Sequence, residues 1–98
     1  MGLEFALEEL YATGWSDLDS NGCSHHTDGR AFPRPDRVKQ EFATAGVDLT
    51  IERMEAFNCY RAHWKDQESG HPRAVVGHTE AEAAVFALAQ FRRALVNA

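Results

Sequence analysis

A chain of 98 residues provides for one domain with a modest core, because short chains bury a smaller share of their surface than long ones do. Hydrophobic residues at 44% and charged residues at 26% are ordinary for a globular chain and exclude disorder throughout. The formal net charge of -5 is uneven: residues 1–29 hold six acidic side chains and no lysine or arginine, which argues against nucleic acid at that segment.

Leu3, Ala6, Leu7 and Leu10 make a helical stripe from which Glu8 and Glu9 stand off, and Gly14 offers a stop, so a short helix is predicted within residues 1–14. The start Met-Gly-Leu-Glu-Phe lacks the basic residues and apolar core of a signal peptide, and Ala6 sits where a myristoylation signal wants Ser or Thr. No apolar run approaches the roughly 18 residues that span a bilayer. A cytoplasmic location without a membrane partner is expected, with Cys23 and Cys59 as free thiols. Residues 15–34 are rich in Gly, Ser, Asp, Asn and Pro and show no sustained period, the mark of a long acidic loop with a short strand near Arg30 to Phe32. Loops of that length are uncommon in a compact domain unless they are functional or disordered.

Pro35 suits the first turn of a second helix, in which Val38, Phe42 and Ala45 share a face and Gly46 supplies the stop. Val47, Leu49 and Ile51 alternate with Asp48, Thr50 and Glu52, as in a strand with one face buried. A second strand is predicted over Asn58 to Lys65, with Tyr60, Ala62 and Trp64 on one face and Cys59, Arg61, His63 and Lys65 on the other. After a polar loop carrying Gly70 and Pro72, Ala74 to His78 reads as a third strand. Thr79 followed by Glu82 is a capping box, with the hydroxyl accepting from the Glu82 N–H and the carboxylate reaching back to the Thr79 N–H. Ala81, Ala84, Val85, Leu88, Phe91 and Leu95 continue the last helix, Arg92 and Arg93 suit its C-terminal end, and Phe86, Ala89 and Val96 widen its apolar arc beyond one face. Either a second helix or a partner chain covers that excess.

The expected fold is therefore α+β: a core over residues 35–98 in the order α-β-β-β-α, with a three-stranded antiparallel sheet packed on two helices, preceded by an extra N-terminal helix and the long loop, all one domain over 1–98. From Pro35 to Val96 this order resembles the double-stranded RNA-binding domain, and Tyr60 to Leu95 looks like its closing hairpin and helix. It is also similar to small phage and bacterial alpha-beta sandwich domains of unassigned role. RNA binding in that family depends on a lysine-rich start to the closing helix and on a Gly-Pro-x-His loop between the first two strands. Here those positions read Thr79-Glu80-Ala81-Glu82 and Met54-Glu55-Ala56-Phe57, so carboxylates stand where phosphates would be met, and nucleic acid is not an expected partner.

Asp17, Asp19 and Asn21, with Gly22 next and Asp28 at the twelfth position, match the oxygen ligands of a calcium loop, although no exit helix can follow before Pro35. Cys23, His25 and His26 lie close enough in sequence to begin a zinc site, without the paired spacing that marks one. The alternative to both is an Asp- and Asn-rich turn. No constellation supports an enzyme, and no cofactor is required. The reading is a small non-catalytic interaction or accessory protein whose partner is another protein or a second copy, acting through Arg61, His63 and Lys65 on the sheet or Phe86 on the last helix. A calcium- or zinc-binding protein and an atypical nucleic-acid-binding module are the alternatives.

Overall fold

The computed structural model describes residues 2–15, 22–66 and 70–96, with the side chains of 95 and 96 left undescribed. Helix α1, Leu3–Ala12, buries Ala6, Leu7 and Leu10 as the apolar spacing requires. It ends where the Thr13 N–H reaches the Leu10 carbonyl at 3.0 Å and Gly14 turns to φ +89°. Strands β1, Cys23–His25, and β2, Ala31–Pro33, form an antiparallel hairpin with Ser24 opposite Phe32. The short strand expected near Arg30 to Phe32 is β2, and its partner β1 is an addition to what was expected as loop. The strands of the hairpin are three residues long and β2 buries all three of its side chains, so no alternation was there to be seen.

Helix α2, Pro35–Thr44, starts on its proline and buries Val38 and Phe42. Gly46, at φ +81°, and Val47 close its end by donating to the Ala43 and Phe42 carbonyls, each at 2.9 Å. Strand β3 is Thr50–Met54, β4 is Cys59–Lys65 and β5 is Pro72–Gly77. They make an antiparallel sheet in the order β3-β4-β5, with Glu52 opposite Arg61 and Arg61 opposite Val76. The alternation from Val47 to Glu52 is present as burial, but ladder pairing begins only at Thr50, because the Val47 N–H is already spent on the α2 terminus.

Helix α3, Glu80–Val96, covers one face of the sheet and buries Ala83, Ala84, Val85, Ala87, Leu88 and Ala89. The small side chains allow close approach of helix and sheet. Helix α2 packs beside α3, and its Phe42 sits between Trp64 of β4 and Phe91 of α3, with ring centroids 5.3 and 4.4 Å away. Helix α1 lies on the other side of α3: Phe5 meets Phe86, Glu9 pairs with Arg93, and Arg92 Nε donates to Thr13 Oγ1 at 2.9 Å. The two helices therefore run in the same direction, and α1 covers the arc around Phe86 and Ala89. The fold is α+β, as expected, with an additional two-stranded sheet. No helix among the described residues is long and apolar enough to cross a membrane.

Candidate functional site

The residues singled out in the sequence fall into three places, of which the second and third meet at Val76. Asp17, Asp19 and Asn21 lie outside the described residues, and Asp28 lies in the β1–β2 turn. There it accepts from the Arg30 N–H at 3.0 Å and from Arg30 Nε at 2.8 Å, while Nδ1 of His26 stands 3.3 Å away. These bonds, above all the one from the Arg30 side chain, hold its carboxyl down at about 2, and the same pairing raises Arg30. The carboxylate thus fastens the hairpin turn on itself. Cys23 is half-buried opposite Pro33, His25 is exposed opposite Ala31, and His26 faces Glu4 of α1 at 4.0 Å as well as Asp28. Among the described residues, no three His, Cys, Asp or Glu side chains are grouped so as to hold a metal ion.

The second place is the sheet face turned away from α3. It carries Thr50 and Glu52 of β3, Arg61, His63 and Lys65 of β4, and Ala74 and Val76 of β5. Arg61 and His63 converge on Glu52, whose Oε1 lies 3.5 Å from the guanidinium and 3.4 Å from the imidazole. One carboxylate so engages both side chains, and Lys65 is left exposed at the far end. This face is a mixed platform rather than a basic patch.

The third place was only partly foreseen. The N-terminal ends of α1 and α3 meet the end of the sheet at which β4 begins and β5 finishes, and they enclose a cavity of about 260 Å³. Phe5, Phe86 and Val76 line it together with Cys59, His78 and Glu82. The two phenylalanine rings meet edge to face, 5.9 Å apart and inclined at 75°. Glu82 is only 6% exposed. Its N–H donates to Thr79 Oγ1 at 3.1 Å, as the capping box predicts, but its carboxylate accepts from the His78 N–H rather than from Thr79. The carboxylate is therefore engaged with the backbone at the mouth of the helix. Cys59, a half-buried free thiol, and His78 line the same cavity.

The large hydrophobic residues exposed among the described ones are Phe57 at 72%, Val76 at 53% and Phe5 at 38%. Phe5 and Val76 line the cavity, and Phe57 stands on the 3-10 turn Glu55–Phe57, which leads through Asn58 into Cys59. Phe86, expected at an interaction surface, is half-buried here as part of the cavity wall. The sequence offered no periodicity from which to find Phe5 and Val76, because the site unites residues 5, 59, 76 and 86 only through long-range packing. Comparison of the chain with protein-family models, with curated proteins and with solved structures returned no match.

Proposed function

We propose that this chain is a non-catalytic interaction module whose contact surface is the apolar end of the molecule, where the cavity opens between α1, α3 and β5. The observation that carries this reading is the clustering there of Phe5, Phe57 and Val76 around a cavity big enough for an anchoring side chain. Hydrophobic residues scattered singly over a surface need no explanation, but the exposed large ones here share one end. The buried carboxylate beside the cavity is already taken up in holding the start of α3, since Glu82 accepts from the His78 N–H and its own N–H donates to Thr79 Oγ1. The sheet platform is the poorer candidate, because Glu52 already engages Arg61 and His63.

The test is a selection of random displayed peptides on the purified chain. Peptides anchored by an aromatic or long aliphatic residue are expected to enrich, and their binding to weaken by about 30-fold or more in Val76→Arg, the loss typical of removing a central anchor contact. Val76 is exposed on an edge strand, so the variant should keep its fold and thermal midpoint. An empty selection, or peptides that bind Val76→Arg as tightly as the parent, would overturn the reading.

A further inference from the structure

We propose that the partner is an extended segment of another protein, which adds as an antiparallel strand to the outer edge of β5 and drops an apolar side chain into the cavity beside Phe86. The inference rests on reading the apolar end as a contact surface and adds how the partner is held there. Asp66 donates its N–H to the His71 carbonyl at 2.9 Å, so these two residues form a hydrogen-bonded pair. The register runs on unbroken from Lys65 opposite Pro72 to Tyr60 opposite Gly77, and in an antiparallel ladder such pairs alternate. Arg73, Val75 and Gly77 accordingly turn their N–H and C=O groups to β4, whereas Pro72, Ala74 and Val76 turn theirs outward, on the last strand of the sheet. Pro72 has no N–H to leave unpaired, and the next outward donor beyond Val76, the His78 N–H, is taken by Glu82. Between these two ends, Ala74 and Val76 each hold out a donor and an acceptor that meet no backbone partner among the described residues.

Two outward residues on one strand stand about 7 Å apart, and the group that meets both with paired donors and acceptors is another extended chain. The opposite edge of the sheet, β3, exposes Glu52 and Arg53, charges of the kind that keep edges unpaired, whereas Ala74-Val75-Val76 carries none. Alongside β5 runs a stripe of α3 in which Glu82, Phe86 and Gln90 follow at four-residue spacing. Two recesses lie along this strand and helix: the cavity of about 260 Å³, which Val76, Gly77 and Phe86 share, and one of about 330 Å³, which Arg73, Val75 and Gln90 share. An added strand sends alternate side chains to the α3 side, and those opposite Gly77 and Arg73, four positions apart, fall beside the first and the second recess. The partner is therefore a segment with a large apolar side chain for the first and a hydrogen-bonding side chain for Gln90 at the second. The β5 strand of a second copy does not meet this description. In the twofold register that gives Ala74 and Val76 of both copies their bonds, Ala74 faces Val76, so Arg73 would be brought to the apolar cavity and Gly77 would leave the second recess empty.

The peptides selected on the full chain provide the test. Methylating their backbone nitrogens one at a time should weaken binding by about 10-fold at two positions spaced by two, those facing Ala74 and Val76, and leave the position between them unaffected. On the chain, Ala74→Pro removes an outward donor without touching the bonds to β4, and should weaken binding by about 10-fold or more at an unchanged thermal midpoint. Amide hydrogen exchange on the parent chain needs no variant: bound peptide should slow exchange of the Ala74 and Val76 N–H groups. Peptides that require Val76 yet tolerate Ala74→Pro and every methylation, and leave those two amides exchanging freely, would sink the added strand alone and leave the contact surface standing. An empty selection would remove both. Slow exchange at Ala74 and Val76 in the free chain that is lost on dilution would give the edge to a second copy and equally overturn the inference.

Discussion

At Gly77 the close approach of strand and helix leaves no room for a side chain. A Cβ built there would stand 2.6 Å from the Ala83 nitrogen and 2.8 Å from Glu82 Oε2. The glycine is what lets the Glu82 carboxylate close on the His78 N–H, so the start of α3 is held by Thr79 from one side and by the end of β5 from the other. Gly77→Ala should push α3 off the sheet edge and cost about 1–3 kcal/mol, the usual penalty for forcing volume into a packed site. Urea denaturation checks it, and an unchanged midpoint would mean that the two elements slide apart without cost. Thr79 and Glu82 announced the cap in the sequence by their spacing. The destination of the carboxylate was not visible there, because it depends on a contact between the end of a strand and the helix that follows, through a position whose only signal is the lack of a side chain.

The β1–β2 hairpin shows which elements a sequence reveals and which it hides. Helices α1, α2 and α3 repeat their apolar residues over several turns and carry stops or caps, so their existence and approximate limits could be read directly. Strand β4, with Tyr60, Ala62 and Trp64 alternating against polar neighbours, was equally plain. The hairpin has no such repetition, and it is held by contacts to residues distant in the chain: β2 buries Ala31, Phe32 and Pro33, and Tyr11 Oη donates to the Ala31 carbonyl at 2.6 Å. The candidate surface was hidden for a related reason, since Phe5 and Phe86 become neighbours only when α1 lies along α3. Asp28 also gives the hairpin a dependence on pH. Its folded-state value, about 2, lies below the ordinary 3.8, so its contribution to stability is fully present above pH 4 or so and is lost as pH falls through about 2. The group is well solvated and the contribution is correspondingly small. A carboxyl NMR titration should place the Asp28 midpoint near 2, with Arg30→Gln returning it toward 3.8. A midpoint that stays low in Arg30→Gln would assign the effect to the backbone N–H instead.

On the scale of the whole molecule, one continuous core joins the N-terminal helix and the hairpin to the α-β-β-β-α unit. Leu7 and Leu10 of α1, Phe32 of the hairpin, Val38 and Phe42 of α2, Trp64 of the sheet and the alanine-rich face of α3 belong to a single buried cluster. Helix α1 is thus a structural layer and not an appendage to an α-β-β-β-α unit, because α3 would present Phe86 and Ala89 to water without it. Leu7 is completely buried, and Leu7→Ala should cost about 2–5 kcal/mol. That is a large part of the roughly 5–15 kcal/mol that stabilises a typical domain, so the effect should spread beyond α1. The two tryptophans allow this to be read. Trp15 follows α1 and stacks at a tilt on Tyr11, 5.5 Å between centroids, whereas Trp64 lies in the sheet beside Phe42. In a Trp15→Phe background the emission reports Trp64 alone. If the core is one cooperative unit, Leu7→Ala lowers the denaturant midpoint of Trp64 emission and of helical circular dichroism by the same amount. If Trp64 keeps its midpoint while part of the helical signal melts early, α1 opens by itself and the sheet and α3 stand without it.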